Sequence, residues 1–291
     1  MVSKLWLILS APLALTACPP PPGSTASGDT AAGGGGGANA SAAIDPDACG
    51  QIDGNDAGRK LHAFLVASAE LDRVTADLEH SVWESCRKMA VELGVTPVGS
   101  TKDLCTKVAN ALHDNLEVSV SHEKRLVTRT VPAECHTDIT LSASFAAQCE
   151  GGAAANNNGA AASAECRAAG DVHAAANTVC TEPKVEVVQQ DVTIVDATKF
   201  QAAVAAINAG LPQLLKVQKR LEIAGKSLEV WADSGTSFAG EIGGLVAQMG
   251  AQSLCVAGQV NNVVNQSTEV QGRLTVSVEV TASVSASAGA Q

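Results

Sequence analysis

The chain reads as an α+β protein, a bundle of three or four long amphipathic helices carrying a disulfide-stabilised antiparallel β extension. Three observations predict this. Apolar residues recur at helical spacing over 58–93, 196–232 and 236–264. Over 117–195, between the first two of these stretches, the composition shifts to Val, Thr and Ser and gathers four cysteines. The hydrophobic fraction of 46% is rich in Ala, which buries little area per residue. The core is therefore thin, and cross-links are expected to support it.

The organisation follows from composition. Residues 1–17 form a leader and 18–48 a Pro/Gly/Ala-rich tether with almost no large apolar group, unable to pack. Residues 49–116 form a helical hairpin, 117–195 the Cys-rich β extension, and 196–291 a second helical hairpin with a C-terminal strand. Removing 1–48 leaves 243 of the 291 residues, enough for a real core.

In the first helix, Leu61, Phe64, Leu65, Leu71, Leu78, Val82, Cys86, Met89 and Leu93 share a face, with Ser68 among them and Glu70, Asp77 and Glu84 opposite. Gly94 suits a left-handed stop and Pro97 blocks continuation. Ser100-Thr101-Lys102-Asp103 looks like a capping box for a helix to about Leu116, with Cys105, Val108, Ala109 and Leu112 inward. Two antiparallel helices joined by a tight turn would pair Cys86 with Cys105.

Val118, Val120, Leu126, Val127, Val131, Ile139, Leu141 and Phe145 sit among Thr and Ser, and predict short strands, with a second run at Val185–Val195. Ala133-Glu134-Cys135 and Ala164-Glu165-Cys166 are each followed, at the same distance, by Cys149 and Cys180. Two units could each close their own bridge. The preferred reading is one antiparallel hairpin, because Cys135 and Cys180 share their midpoint with Cys149 and Cys166. Its tip is Asn156-Asn157-Asn158-Gly159. The Ala-rich run 167–178 is poor in strand formers and counts against it.

The second long helix, capped by Asp196, carries Phe200, Val204, Ile207, Leu211, Leu214, Leu215, Leu221, Leu228 and Trp231. Pro212 is expected to kink or divide it and Gly235 to end it. A third helix over about 236–264 places Phe238, Ile242, Leu245, Val246, Met249, Val256, Val260 and Val263 inward. Cys49 and Cys255 pair by elimination. From Arg273 to about 288, Leu274, Val276, Val278 and Val280 alternate, which predicts a strand.

Leu15-Thr16-Ala17-Cys18 follows a basic Lys4 and the short apolar stretch Leu5–Ala14. This arrangement resembles the lipobox of bacterial lipoproteins. The resemblance implies cleavage before Cys18, lipidation of that cysteine and anchoring to a membrane. Pro19 stands where an Asp would signal inner-membrane retention, so outer-membrane sorting is expected, facing the periplasm or the cell surface. The resemblance covers residues 1–18 and says nothing of 49–291. With Cys18 lipidated, eight cysteines remain in an exported chain, Cys49, Cys86, Cys105, Cys135, Cys149, Cys166, Cys180 and Cys255, read as four disulfides.

The listless chemistry of the remainder points away from catalysis. The formal charge is −11, or −12 once Lys4 is lost with the leader, which disfavours nucleic acid and docking on anionic lipid. There is no Tyr, and the seven aromatics are Trp6, Trp83, Trp231, Phe64, Phe145, Phe200 and Phe238, too few for stacking platforms. No Cys-x-x-Cys supports zinc or iron–sulfur. Asp45, Asp47, Asp53 and Asp56 cluster around Gly50, and Asp45, Asp47 and Asp56 fall at EF-hand loop positions 1, 3 and 12, but Cys49 falls at position 5, where a thiol is a poor calcium ligand. Ser85-Cys86-Arg87-Lys88 matches Ser-x-x-Lys without the Lys-Thr-Gly strand such enzymes carry. Asp77-x-x-His80 lacks its Glu-x-x-His partner, Asn110-x-x-His113 lacks a carboxylate, and His62, His122, His136 and His173 show no ligand spacing. Gly54 to Lys60 resembles a phosphate loop only superficially.

The expectation is therefore a non-enzymatic, membrane-anchored lipoprotein with a structural or protein-interaction role at the cell envelope. It has no catalytic residue, metal or cofactor. Its partners are the membrane, through the lipid, and an envelope protein, with no nucleic acid. The alternative is a membrane-active helical protein resembling pore-forming toxins, for which Gly240-x-x-x-Gly244 in an apolar helix is the motif.

Overall fold

Asn55 starts the first helix. Its side-chain oxygen accepts the Gly58 N–H at 2.8 Å, satisfying one of the donors a helix N-terminus leaves open. A computed structural model describes residues 44–119, 127–152, 162–188, 193–248 and 252–289, with only the backbone described for 118, 119, 127 and 235–248. Helix α1 runs Asp56–Glu92 and stops at Gly94, whose φ of +69° is the left-handed turn-off expected of it. Its apolar stripe is buried from Leu61 to Met89. The polar residues within that stripe are satisfied locally: Ser68 Oγ donates to the Phe64 carbonyl at 2.6 Å and Thr75 Oγ1 to the Leu71 carbonyl at 2.9 Å.

Helix α2 (Thr101–Ser119) is capped by Ser100, whose hydroxyl accepts the Asp103 N–H and donates to the Asp103 carboxylate at 2.7 Å. It does not run antiparallel to α1 through a tight turn. Thr101 meets Glu79 at 3.1 Å, while Cys105, one turn later, meets Val82 and is bridged to Cys86. Contacts that climb α1 as α2 advances mean the two helices run the same way. The connecting residues make this possible by doubling back beside α1, where the Trp83 indole donates to the Gly99 carbonyl at 3.3 Å.

The following segment is one antiparallel excursion, and only its base is strand. β1 (Val127–Val131) pairs with β4 (Lys184–Val188), and β2 (Cys135–His136) with β3 (Val179–Cys180). Beyond them the chain is helical: α3 (Ile139–Cys149) and α4 (Ala164–Ala176) replace the strands expected at Ile139, Leu141 and Phe145. Caps and alanines decide this. Asp138 accepts the Thr140 N–H at 2.8 Å, Ser163 caps α4, and the Ala-rich run is the strongest helix former available. Gly170 admits the close approach of the two helices, because a Cβ there would lie 2.5 Å from the Ser142 carbonyl oxygen. Val120, Leu126 and the tip Asn156–Gly159 lie outside the described residues.

Helix α5 (Ala197–Gln248) passes through both Pro212 and Gly235. Pro212 removes the partner of the Asn208 carbonyl, but Asn208 is exposed, so that carbonyl is not left orphaned in the core. On the other side Ile207, Leu211 and Leu214 are fully buried and hold the helix together. Gly235 costs a helix interior about 1 kcal/mol, too little to end one already packed at Trp231. Asp196 caps α5 as expected, accepting the Thr198 and Lys199 N–H groups at 3.0 and 3.1 Å.

Helix α6 (Ser253–Ser287) absorbs the strand expected after Arg273. Its buried positions Val263, Val270, Leu274, Ser277, Thr281 and Val284 follow helical spacing, and Val278 of the alternating set is 49% exposed. The β-branched sequence is overridden because α1 and α2 cover one stripe of it rather than every second residue.

The longer helices have fixed directions. Phe64 stacks on Trp231 at 5.3 Å, while Ser85 and Met89 lie against Gly210, so α5 is antiparallel to α1. Gln51–Gln252 and Asp72–Arg273 share one sequence offset of 201, so α6 runs parallel to α1. The described residues are thus mostly helical, with two small antiparallel ladders and four disulfides.

Candidate functional surface

The structure brings together the cysteines that the sequence reading paired: Cys49–Cys255, Cys86–Cys105, Cys135–Cys180 and Cys149–Cys166. Shared midpoints identify the last two pairs equally well for a helical hairpin as for a β hairpin, since both are antiparallel. β1 and β4 keep the same midpoint, with Thr128 opposite Val187 and Cys135 opposite Cys180. Residues 127–188 therefore fold back once, through strand, helix, helix and strand. Cys149–Cys166 joins the end of α3 to the start of α4.

This excursion is fastened at several heights. The Thr128 hydroxyl donates to the Ala288 carbonyl at 2.7 Å, tying β1 to the end of α6. Lys216 of α5 pairs with Glu182. His173 of α4 meets Glu70 of α1 at 2.8 Å, and Phe145 stacks on the His173 ring at 4.9 Å. Around the Cys135–Cys180 bridge, Thr181 donates its N–H to the Glu134 carbonyl at 2.9 Å, and the Thr137 and Thr178 hydroxyls meet at 2.8 Å.

On this rigid base three large apolar residues face solvent: Val131 is 60% exposed, Ile139 78% and Val179 72%. Val179 lies opposite His136 on the β2–β3 ladder, and Ile139 opens the helix that follows β2. The sequence reading did not single out these exposures, because they depend on which side of each short element turns outward. It also missed the Glu70–His173 contact, whose partners are 103 positions apart.

The joint between α3 and α4 carries the clearest electrostatic signature. The Glu150 carboxylate is held below its ordinary range by the Ser163 hydroxyl and by the Ser163 N–H, donated at 2.7 Å. Asp138 is lowered by the Thr140 hydroxyl and N–H. Elsewhere the Arg87 guanidinium lowers Glu84 through its hydrogen bond.

The side chains of the candidate chemical motifs are engaged separately. Ser85 is buried and donates to the Ser81 carbonyl at 2.7 Å, while Lys88 reaches Gln213 at 2.8 Å. Asp77 lies 4.0 Å from Arg73, His80 stacks on Trp83, and His113 meets Glu117 at 3.3 Å. Asp45 accepts the Asp47 N–H, Asp47 meets His62 at 3.1 Å, and Asp56 pairs with Arg59 and Lys60. His136 is exposed, and Cys18 and His122 lie outside the described residues. Among the described residues no three His, Cys, Asp or Glu side chains converge on a metal position. The two best-formed cavities hold about 10 Å³ each, room for one water, and one is lined by Leu71, Trp231 and Gln266. Among the described residues no helix is long and apolar enough to cross a membrane.

At the start of α1, Cys49–Cys255 fixes the segment that leads into the helix. Gln252 donates to the Cys49 carbonyl at 2.8 Å, and the Asp45 N–H donates to Gln259 at 3.3 Å. Ile52 is buried under Gly58, where any side chain would strike the Ile52 carbonyl. Comparison of the chain with protein-family profiles, curated proteins and solved structures finds no match.

Proposed function

We propose that the protein is a lipid-anchored, non-enzymatic binding module of the cell envelope. Cys18 carries the lipid, residues 19–43 give reach, and a bundle of long helices holds the 127–188 excursion toward a second envelope protein. The outer membrane is the anchoring site that best fits Pro19 after the lipidated cysteine.

One observation carries this reading. Val131, Ile139 and Val179 are exposed on a segment held by two disulfides and by contacts to α1, α5 and α6. Large apolar side chains on a pre-ordered base bind at low entropic cost, which is the property of an interaction surface.

Crosslinking with mass spectrometry on intact cells tests it. A reproducible protein partner crosslinked to residues 127–188, and lost in a Val179→Asp, Ile139→Asp double variant, is the expected result. Crosslinks confined to the chain itself, or unchanged in that variant, refute the interaction role.

A further inference from the structure

The end of the molecule where the tether enters has a composition unlike the rest. Residues 242–268 contain no Asp, Glu, Lys or Arg, in a chain that is 17% charged. This stretch spans the end of α5, its connection to α6 and the first half of α6. Leu254, within it, is 86% exposed, more than any other large apolar residue among the described residues.

The helix directions place this stretch at the extremity. Phe64 on α1 is level with Trp231 on α5, so Asp56, the first residue of α1, is level with about residue 239. α5 continues to Gln248, which at 1.5 Å per residue is roughly 13 Å further. On α6, the shared offset sets Asp56 level with about residue 257, and α6 begins at Ser253. The end of α5 and the start of α6 therefore extend past the start of α1.

The same end receives the tether. Residues 44–50 are held against α6 by Cys49–Cys255, Gln252 and Gln259. The 25 residues from Pro19 to Ala43 separate Cys18 from this point. A tether of that length does not orient the helices by itself, so the surface chemistry of the end it enters decides which face meets the bilayer.

We propose that the α5–α6 end, with Leu254 at its surface, is a membrane-seating face that rests on the bilayer bearing the Cys18 lipid. The proposal rests on the lipoprotein reading of Cys18. Seating is peripheral, since among the described residues no helix can span a membrane. The headgroup chemistry is zwitterionic. Asp45, Asp47, Asp53 and Asp56 lie at this end, and only Asp47 and Asp56 face cations or a histidine, namely Arg59, Lys60 and His62, so anionic lipid is repelled. This orientation keeps β1–β4, with Val131 and Val179, at the far end near the close of α6, while the α3–α4 joint, where Gly151 lies beside Arg59, comes down to the start of α1.

The test uses the full chain purified from membranes and reconstituted in phosphatidylcholine vesicles containing a lipid with a photoactivatable diazirine in its acyl chain. After photolysis, labelled peptides are located by mass spectrometry. The expected result is at least fivefold more label in residues 235–259 than in α2 or in the strand residues 127–136 and 179–188, at least halved by Leu254→Asp with unchanged helical circular dichroism. Replacing a third of the lipid with phosphatidylglycerol should not raise it. Label no higher at this end than on α2, or crosslinks there to a second copy in place of lipid, overturn the proposal while leaving the lipid anchor intact. An intact mass showing no acyl groups on Cys18 overturns both.

Discussion

Two alanine substitutions in the same helix should move stability in opposite directions. Gly210 and Gly225 both lie in α5. Alanine in an open helical position gains about 0.8–1 kcal/mol over glycine. At Gly225 an added Cβ meets nothing within 4 Å, so Gly225→Ala should realise that gain. At Gly210 the Cβ would lie 2.6 Å from the Ser85 carbonyl oxygen and collide with the Met89 side chain. Met89 can shift, but the Ser85 carbonyl belongs to the backbone of α1 and moves only with the helix. Overpacking of this kind costs about 1–3 kcal/mol and exceeds the propensity gain, leaving a net loss of about 1 kcal/mol. For a chain of this size each change corresponds to about 2–4 °C in Tm. Thermal and urea unfolding followed at 222 nm, on oxidised protein, measures both. A Gly210→Ala protein as stable as the wild type, or effects of the same sign at the two sites, would refute the close α1–α5 packing inferred here.

Other expectations follow from the bridges and charges. Replacing Cys86 and Cys105 by Ala opens a bridge of sequence separation 19, a loss of about 3 kcal/mol in the chain-entropy model. Replacing Cys49 and Cys255 opens one of separation 206, about 5 kcal/mol. Urea midpoints should fall in that order, and equal losses would count against loop closure as the cause. Glu150 and Asp138 have folded pKa values below their unfolded values of 4.5 and 3.8. Their stabilisation is therefore full above those values and lost as pH falls through the depressed folded ones. Amide exchange in α3 and α4 should accelerate selectively on acidification below about pH 4, in the ordinary carboxylate range. Glu150→Gln should flatten that response around Ser163, and an unchanged profile would remove Glu150 as its source. Arg273 lies 2.7 Å from Asp72, 3.9 Å from Glu79 and 3.7 Å from Glu269. Arg273→Met leaves those carboxylates facing one another across the α1–α6 contact and should cost about 0.5–1 kcal/mol, more at low salt than at high. A salt-independent loss would point to packing rather than charge.

The chain announced some of this architecture locally. A stripe repeated at helical spacing, a glycine able to turn left-handed at position 94, and capping side chains at Ser100 and Asp196 act within a few residues of themselves. They set α1 and the starts of α2 and α5 without help from the rest of the fold. The Cys135–Cys180 and Cys149–Cys166 pairings were legible as the preferred of two readings, because a shared midpoint is a property of any antiparallel fold-back, whereas Cys86–Cys105 forms between parallel helices and not in the antiparallel hairpin expected for it. That generality is why the same signal could not tell strand from helix at α3 and α4. The choice lay with Asp138, Ser163 and a glycine that lets two helices touch.

What only tertiary structure decided are the contests between local preference and burial. Pro212, Gly235 and the alternating valines after Arg273 each argue against helix, by about 1–3 kcal/mol at most for any one residue. Burial of Ile207, Leu211, Leu214, Trp231, Leu274 and Val284 against neighbouring helices outweighs them. The direction of α2, the exposure of Val131, Ile139 and Val179, and the meeting of Glu70 with His173 depend on partners distant in the chain. No local pattern encodes such contacts, because their energy exists only once the helices have packed.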